Sequence, residues 1–517
     1  MRDRARVAGD VPSFLRKGPL PLWLLFQKPQ VLSKNNDAID YLESVLGPEI
    51  SGKGATDGKV DKLKEAELCD AFDSYVCGRP DDVGCDFFKV AEGDVIYLFN
   101  GKWYEKIDDV KLRFIVKEVM KRTHVGIVYV RNSAGKIADE CKESLLSCEW
   151  CRFEPDRRYV VFRNGVLDTE RKGFYAHDIK YKTDIVLNFN YLSSERSALW
   201  DRLIRQTVPD DGMRSAMQQF CGALLADRRK FKIEYMLMLV GSGRNGKSVV
   251  TDAIAGVFGD DLVSSYSPEQ LFGNSGHSLY NLADINGKLA NICDDLKNKD
   301  FSGGEFKQFI SGHKFQARHI YGRPFVVTKI PLMICCMNEI PPTTDDTMGH
   351  YRRLLPVLCP NQVAEKDVDY ELPVKLATDE SKAAIFNWLL EGYKEFVANK
   401  GRIDVSDSIR TIREDIKADA NSARRWIREM GFTPVRPKGP SDPCWKPIRE
   451  LMTEYMAFCR DYSENAKTSK AVGAIFRELG YASEKRRSTT WYCVGRPGEE
   501  EKPDDVLPQE QRDDLPF

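Results

Sequence analysis

The chain has 517 residues, 42% of them hydrophobic, and 77 Lys and Arg against 78 Asp and Glu give a formal net charge of −1. That length exceeds what one hydrophobic core supports and predicts two to four domains. The balanced charge excludes a uniformly cationic coat, so any nucleic-acid contact has to be concentrated locally.

The fourteen cysteines are scattered and lack the framework of a small secreted protein, which predicts reduced, mostly buried thiols, Cys293, Cys335, Cys336 and Cys359 among them. The apolar run Pro19–Phe26 holds two prolines and is far too short to span a bilayer. It reads as a docking or core segment, and the chain as a soluble, cytoplasmic protein with no membrane partner.

Residues 1–59 open with Arg2, Arg4 and Arg6 and end in a linker, Gly47–Lys59. Residues 60–215 read as a mixed α/β domain. Asp61–Val76 and Lys111–Arg122 have helical spacing, and Asp94–Phe99 runs into the turn pair Asn100-Gly101. Arg158–Arg163 is a strand ending at a second turn pair, Asn164-Gly165. Cys141, Cys148 and Cys151 have the look of metal ligands, but nothing completes a set of four, and a helix carrying three thiols explains them as well.

Residues 216–400 alternate strands and helices, as a parallel α/β sheet does. Tyr235–Val240, Leu289–Cys293 and Pro331–Met337 are continuous apolar runs of the kind buried on both faces. Residues 401–496 turn helical and charged. Four prolines mark a loop over Pro434–Trp445, Ile448–Arg460 is an amphipathic helix, and Thr468 caps a helix that runs to Leu479 and stops at Gly480. Lys485-Arg486-Arg487 then leads into a Thr/Trp/Tyr strand, an order that predicts a winged-helix domain. The last segment, Pro497–Phe517, has four prolines, eight acids and two basic residues and is expected to be disordered.

The strongest chemical signal is Gly241-Ser242-Gly243-Arg244-Asn245-Gly246-Lys247-Ser248, which follows a buried strand and opens a helix over Val249–Phe258. This is G-x-x-x-x-G-K-[ST] in the strand–loop–helix setting it needs. Glycines let backbone N–H groups face a phosphate, and the helix N-terminus adds positive partial charge. Lys247 is expected on the β/γ-phosphates and the Ser248 hydroxyl on Mg²⁺. Alone, the motif does not separate kinase, GTPase, ATPase and motor.

Asp294 and Asp295 end the second apolar strand, a pair suited to one carboxylate near Mg²⁺ and one polarising the attacking water; a helix cap at a strand end is the plain alternative. Asn338 ends the third strand, where an amide orients water against a γ-phosphate or merely begins the turn before Pro341-Pro342. Arg352-Arg353 follow, either a surface pair or an arginine supplied to a neighbouring subunit. Between the second and third strands, residues 306–330 hold Lys307, Lys314, Arg318, Arg323 and Lys329 and no acid. Two strands, Phe315–Ile320 and Phe325–Ile330, predict a hairpin whose tip carries Arg318, His319, Tyr321 and Arg323, suited together with Lys314 to phosphates and stacked bases.

With these residues assembled, the chain resembles superfamily 3 helicases, specifically the phage- and plasmid-type primase–helicases related to poxvirus replication ATPases. The motif order matches, and Gly241 to Asn338 spans 97 residues, as compact as in that superfamily. Phe162–Asp168 resembles the family's strand and turn ahead of the motor, and Gln219–Leu225 the helix before its phosphate loop. The resemblance implies an AAA+ type P-loop core, with Lys247 and Ser248 on phosphate and Mg²⁺, Asp294 and Asp295 for metal and water, and Asn338 as sensor. Lys307 matches a basic position that reaches a neighbour's nucleotide. Arg352 or Arg353 matches the arginine finger, with Arg353 slightly favoured by its distance to the following apolar strand. The resemblance further implies ATP as substrate, a hexameric ring and 3′-to-5′ movement on single-stranded DNA at replication forks. No acidic triad of a primase domain precedes the motor, so a separate primase becomes an expected partner.

The terminal Asp513-Asp514-Leu515-Pro516-Phe517 is similar to the acidic tip of bacterial single-stranded-DNA-binding proteins. That likeness implies recruitment of host replication proteins; a solubilising tail is the alternative. A mobile-element or phage helicase is the leading expectation, an ATP-switched initiator or loader the second. A small-molecule kinase leaves the basic hairpin and winged helix without a role.

Overall fold

A computed structural model describes residues 88–122, 127–171, 173–273, 277–294, 304–320, 322–340, 348–419, 421–462 and 466–496. The N-terminal extension and linker, the helix expected over Asp61–Val76, Asp295, Tyr321 and the acidic tail lie outside the described residues. Among those described, no helix is long and apolar enough to cross a membrane.

The first described unit is an antiparallel meander, β1 (Phe88–Ala91), β2 (Val95–Phe99) and β3 (Tyr104–Ile107), followed by α1 (Asp109–Arg122) and α2 (Ile127–Ser147). The Asn100 turn forms because its side-chain oxygen accepts the N–H groups of Lys102 at 3.1 Å and Trp103 at 3.0 Å. Cys148 and Cys151 are core thiols, packed with Val90, Leu145 and Phe153. Among the described residues no group of three or more His, Cys, Asp or Glu side chains is placed to hold a metal ion.

A second sheet, ordered β6-β5-β4-β7, comprises β4 (Tyr159–Phe162), β5 (Gly165–Asp168), β6 (Phe174–Tyr175) and β7 (Val186–Leu187). The turn at Asn164-Gly165 joins β4 and β5 antiparallel. Helices α3 (Ala198–Thr207) and α4 (Asp211–Gly222) follow, capped by the side chains of Ser197 and Asp210. The boundary expected between 215 and 216 falls inside α4. Val160, Phe162, Leu187 and Phe189 share one continuous core with residues as distant as Phe386 and Ile409.

The central sheet has five parallel strands in the order β14-β8-β13-β10-β9. Along the chain these alternate with helices: β8 (Met236–Val240), α5 (Lys247–Phe258), β9 (Val263–Ser264), α6 (Pro268–Phe272), α7 (Ser278–Asp284), β10 (Ala290–Asp294) and α8 (Gly304–Ile310). A separate hairpin of β11 (Phe315–Arg318) and β12 (Pro324–Val327) precedes β13 (Leu332–Met337). Then come α9 (Met348–Tyr351), β14 (Leu354–Leu358), α10 (Leu372–Leu376), α11 (Asp379–Ala398) and α12 (Asp407–Asp419). Every residue of β8 and β13 is buried, as their unbroken apolar sequence predicts for strands covered on both faces.

The C-terminal unit packs α13 (Ser422–Glu429), α14 (Ile448–Asp461) and α15 (Ser469–Glu478) against a small sheet. In that sheet β18 (Thr489–Gly495) pairs with β15 (Thr433–Pro434), β16 (Trp445–Pro447) and β17 (Ser483–Arg486). Trp426, Tyr455, Phe476 and Tyr492 form its core. Thr468 caps α15 as expected.

The expectation of fourteen reduced thiols fails in this unit. Cys444 and Cys493 form a disulfide, so the cysteines are not all thiols. The β16–β18 pairing sets Trp445 opposite Cys493, which brings the two Cα atoms within 4.7 Å although 49 residues separate them.

Candidate functional site

Three features expected to act together meet at the C-terminal end of the central sheet. β8 ends at Val240 and the chain turns through Gly241–Gly246 into α5. Left-handed backbone at Gly243 (φ 95°), Arg244 (φ 50°) and Gly246 (φ 79°) makes that turn. Gly246 has a second constraint, since a Cβ there would lie 2.7 Å from the buried Thr207 hydroxyl of α3. The Gly241 N–H donates to Met337 O at 3.0 Å, which puts the exposed Asn338 directly beside the start of the loop. β10 lies on the other side of β13 and ends at Asp294.

Lys247 begins α5 with its side chain only 7% exposed. Its ammonium donates to Gly241 O at 2.5 Å and to Asn245 Oδ1 at 2.7 Å. Asn245 is 3% exposed and donates through Nδ2 to Cys359 O at 2.7 Å. Ser248 is exposed on the first turn, while Ser242 and Arg244 are exposed on the loop. Burial pushes the Cys359 thiol up to about 12, against the opposing pull of Lys247, so it stays protonated.

Arg352, Arg353 and Lys307 belong to the other end of the sheet. The two arginines precede β14, and Met236 N–H at the start of β8 donates to Arg353 O at 2.8 Å. Five strand residues separate that point from the loop, roughly 16 Å. Neither arginine therefore reaches the loop of its own chain. Arg353 is 11% exposed and held by Ser311 Oγ (2.8 Å from Nη2), Gly349 O and Glu234 (3.5 Å). Arg352 is 59% exposed and touches Glu234 at 3.5 Å. Lys307 is half-buried on α8, one helical turn before Ser311, whose N–H donates to Lys307 O at 3.0 Å.

The basic hairpin also rises from the strand-start end. Its strands are shorter than expected, with Phe315 opposite Val327 and Arg318 opposite Pro324. Arg318 donates to the Tyr280 hydroxyl at 3.0 Å and lies over that ring. His319 stacks on Phe325 with ring centroids 5.0 Å apart. Burial, helped by Lys106, pulls the His319 imidazole below its ordinary value, so its charge is absent at neutral pH. Lys314 and Arg323 are exposed.

Sequence reasoning missed the supports of this hairpin. The β1–β2 turn abuts it: a Cβ on Gly93 would lie 3.0 Å from the Phe325 ring, and Glu92 accepts a hydrogen bond from Thr328. Below it, Asp184 receives Arg157 at 3.3 Å and Lys329 at 3.4 Å. Burial alone would raise the Asp184 carboxyl, but the two cations outweigh it and hold it below the ordinary carboxylate range. Arg157 also donates to Gly287 O at 3.0 Å, so one cluster joins the strand-start end of the central sheet to the preceding unit. Also missed was the segment after β14, whose polar run Cys359-Pro-Asn-Gln carried no recognised motif.

Comparison with known proteins adds three findings. Residues 239–353 match DUF5906, a family of unknown function. That stretch runs from the end of β8 through the loop, β10, the hairpin and Arg353. A protein of Acanthamoeba polyphaga mimivirus named as a candidate helicase is 26% identical over 265 residues, covering 48% of this chain. The chain spans only 26% of that protein's length. Two apo structures of the NrS-1 C-terminal region are similar at TM-scores of 0.43 and 0.44, with 12% and 13% identity. Each of those matches covers 80% of this chain and 97% of the other.

Proposed function

We propose that this chain is the ATP-driven motor of a DNA-replication helicase, of the kind carried by viruses, phages or other mobile elements. The observation that carries the reading is the joint placement of Lys247, Ser248, Asn338 and the end of β10 at one end of a parallel sheet, with Arg352 at the other. Because neither Arg352 nor Arg353 reaches the loop of its own chain, an arginine from a neighbouring copy would complete a nucleotide held there, the arrangement of a ring motor. The strand order, which inserts β13 between β8 and β10, supports an AAA+ type P-loop core. The helicase-named viral relative points the same way.

In this reading the loop N–H groups and the α5 N-terminus bind the phosphates and Lys247 neutralises them. Ser248 and Asp294 would hold Mg²⁺, which screens phosphate charge and orients the terminal phosphoryl group when bound. The loop suits that role: left-handed residues at Gly243, Arg244 and Gly246 turn its backbone, and among the described residues Lys247 bonds to groups of the loop itself. Asn338 orients the attacking water. Arg352, 59% exposed and in contact with Glu234, suits the trans role better than Arg353, which is 11% exposed and held by Ser311, Gly349 and Glu234.

The hairpin would grip single-stranded DNA through Lys314, Arg318 and Arg323, with His319 stacking. The C-terminal unit, with two helices ahead of a β17–β18 hairpin, supports a winged helix. Hexameric assembly, 3′-to-5′ polarity, a separate primase and recruitment of host proteins through Asp513–Phe517 belong to the same proposal.

The test is unwinding of tailed duplex DNA with ATP and Mg²⁺, comparing wild type with Lys247→Ala. Displacement by wild type alone, and only from a 3′ tail, is the expected result. DNA-stimulated ATP hydrolysis without displacement would replace the helicase by an ATP-switched initiator or loader.

A further inference from the structure

We infer that Asn245 is a positioning residue for the nucleotide loop, and that the segment Cys359–Val363 is a strap that holds the loop in its binding shape through it. The inference rests on the nucleotide-binding reading of that loop; it gives Asn245, within the motif, a specific role and adds the segment Cys359–Val363 outside it.

The chemistry of the Asn245 carboxamide fixes its orientation. Cys359 O is only an acceptor and the Lys247 ammonium only a donor, so Nδ2 must face the first and Oδ1 the second. The observed bonds, 2.7 Å each, follow that assignment. One buried amide thus links the phosphate-binding lysine to the residue just beyond β14. A carboxylate of the same shape could not do this. It would set an oxygen against Cys359 O and tie up the Lys247 charge in an internal ion pair, removing one positive charge from the phosphate site.

The strap makes further contacts along the loop. Gln362 Nε2 donates to Ser242 Oγ at 2.9 Å, and Val363 N–H donates to Arg244 O at 2.8 Å. Asn361 Nδ2 ties the strap to the end of α3 through Gln206 O at 2.9 Å. A glycine-rich loop has much conformational freedom to lose on binding. Contacts to three of its residues remove part of that freedom beforehand, so the strap raises affinity by preorganisation.

The experiment compares the full chain with Asn245→Asp, Asn245→Ala, Gln362→Ala and Lys247→Ala. The readouts are binding of a fluorescent ATP analogue, and KM and kcat for DNA-stimulated ATP hydrolysis. Asn245→Asp is expected to weaken binding about tenfold or more, the scale of one lost hydrogen bond to a charged group, and by more than Asn245→Ala. Gln362→Ala, on the exposed side of the strap, is expected to raise KM roughly threefold to fivefold with kcat unchanged. Wild-type affinity in Asn245→Asp, a larger loss in Asn245→Ala than in Asn245→Asp, or an unchanged KM in Gln362→Ala would overturn the inference alone. Failure of wild type to bind the analogue, or equal binding by Lys247→Ala, would overturn the nucleotide reading and this inference together.

Discussion

The two ends of the five-stranded sheet satisfy their backbone carbonyls in different ways. At the strand starts, long buried guanidinium groups do the work. Arg228 donates to Ile233 O and Ile310 O at 2.7 Å, to Ile330 O at 3.0 Å and to Pro331 O at 3.2 Å. Arg413, on α12, donates to Leu354 O at 2.6 Å. Burial pushes both guanidinium groups down to about 10, yet leaves them charged at neutral pH. At the strand ends, one ammonium and one amide serve the loop, and in the proposed function a phosphate would compete for the ammonium. In the proposed motor, a fixed base and an exchangeable top would let the ligand change one end of the sheet while the other keeps its frame.

Breaking the base should have the largest effect. Arg228→Ala strands four carbonyls at once and is expected to lower the unfolding free energy by roughly 3 kcal/mol or more, read by urea titration. A loss near zero would mean that water replaces the guanidinium, and that the base is not the rigid end.

The cluster at Asp184 sharpens the comparison through pH. Its carboxyl is depressed in the folded state, so its stabilising contribution is present above the ordinary carboxylate value. That contribution is lost as pH falls below about 4 through the folded value. Asp184→Asn leaves Arg157 and Lys329 without their shared anion and should cost roughly 3 kcal/mol at neutral pH. It should also flatten the acid limb of a stability–pH curve, and an unchanged acid limb would contradict the assignment.

The smallest expected effect concerns the hairpin. Arg323→Ala should reduce the salt-dependence slope of single-stranded DNA binding by about 0.7. His319→Ala should leave that slope unchanged at neutral pH, because its imidazole is already neutral, while weakening binding through lost stacking.

What the sequence revealed was local. The strand, loop and helix around Lys247 lie within about two dozen consecutive residues, and the Asn100 and Asn164 turns need only their neighbours. The hairpin at 315–327 was legible for the same reason, though its strands came out shorter: His319 and Ile320 belong to the exposed tip, and Thr328–Ile330 lie beyond the last pair, Phe315 with Val327. The supports are different in kind. Arg228 bonds carbonyls up to 103 residues away, and Thr328 meets Glu92 across 236 residues. The pairing of Cys444 with Cys493 depends on strand register in the C-terminal sheet. None of these leaves a spacing to read, since each partner is chosen only once the sheet has formed.

The central claim, that a nucleotide at one end of the sheet is served by an arginine from the other end of a neighbouring copy, can be tested by mixing two inactive variants. Lys247→Ala lacks the phosphate ligand, and Arg352→Ala lacks the arginine, a loss expected to cost on the order of a thousandfold in rate. The measurement is DNA-stimulated ATP hydrolysis by each variant alone and by an equal mixture. The account predicts that the mixture regains activity, because interfaces form that pair an intact Lys247 with an intact Arg352. A mixture as inactive as its parts, or an Arg352→Ala protein hydrolysing ATP at the wild-type rate, would contradict it.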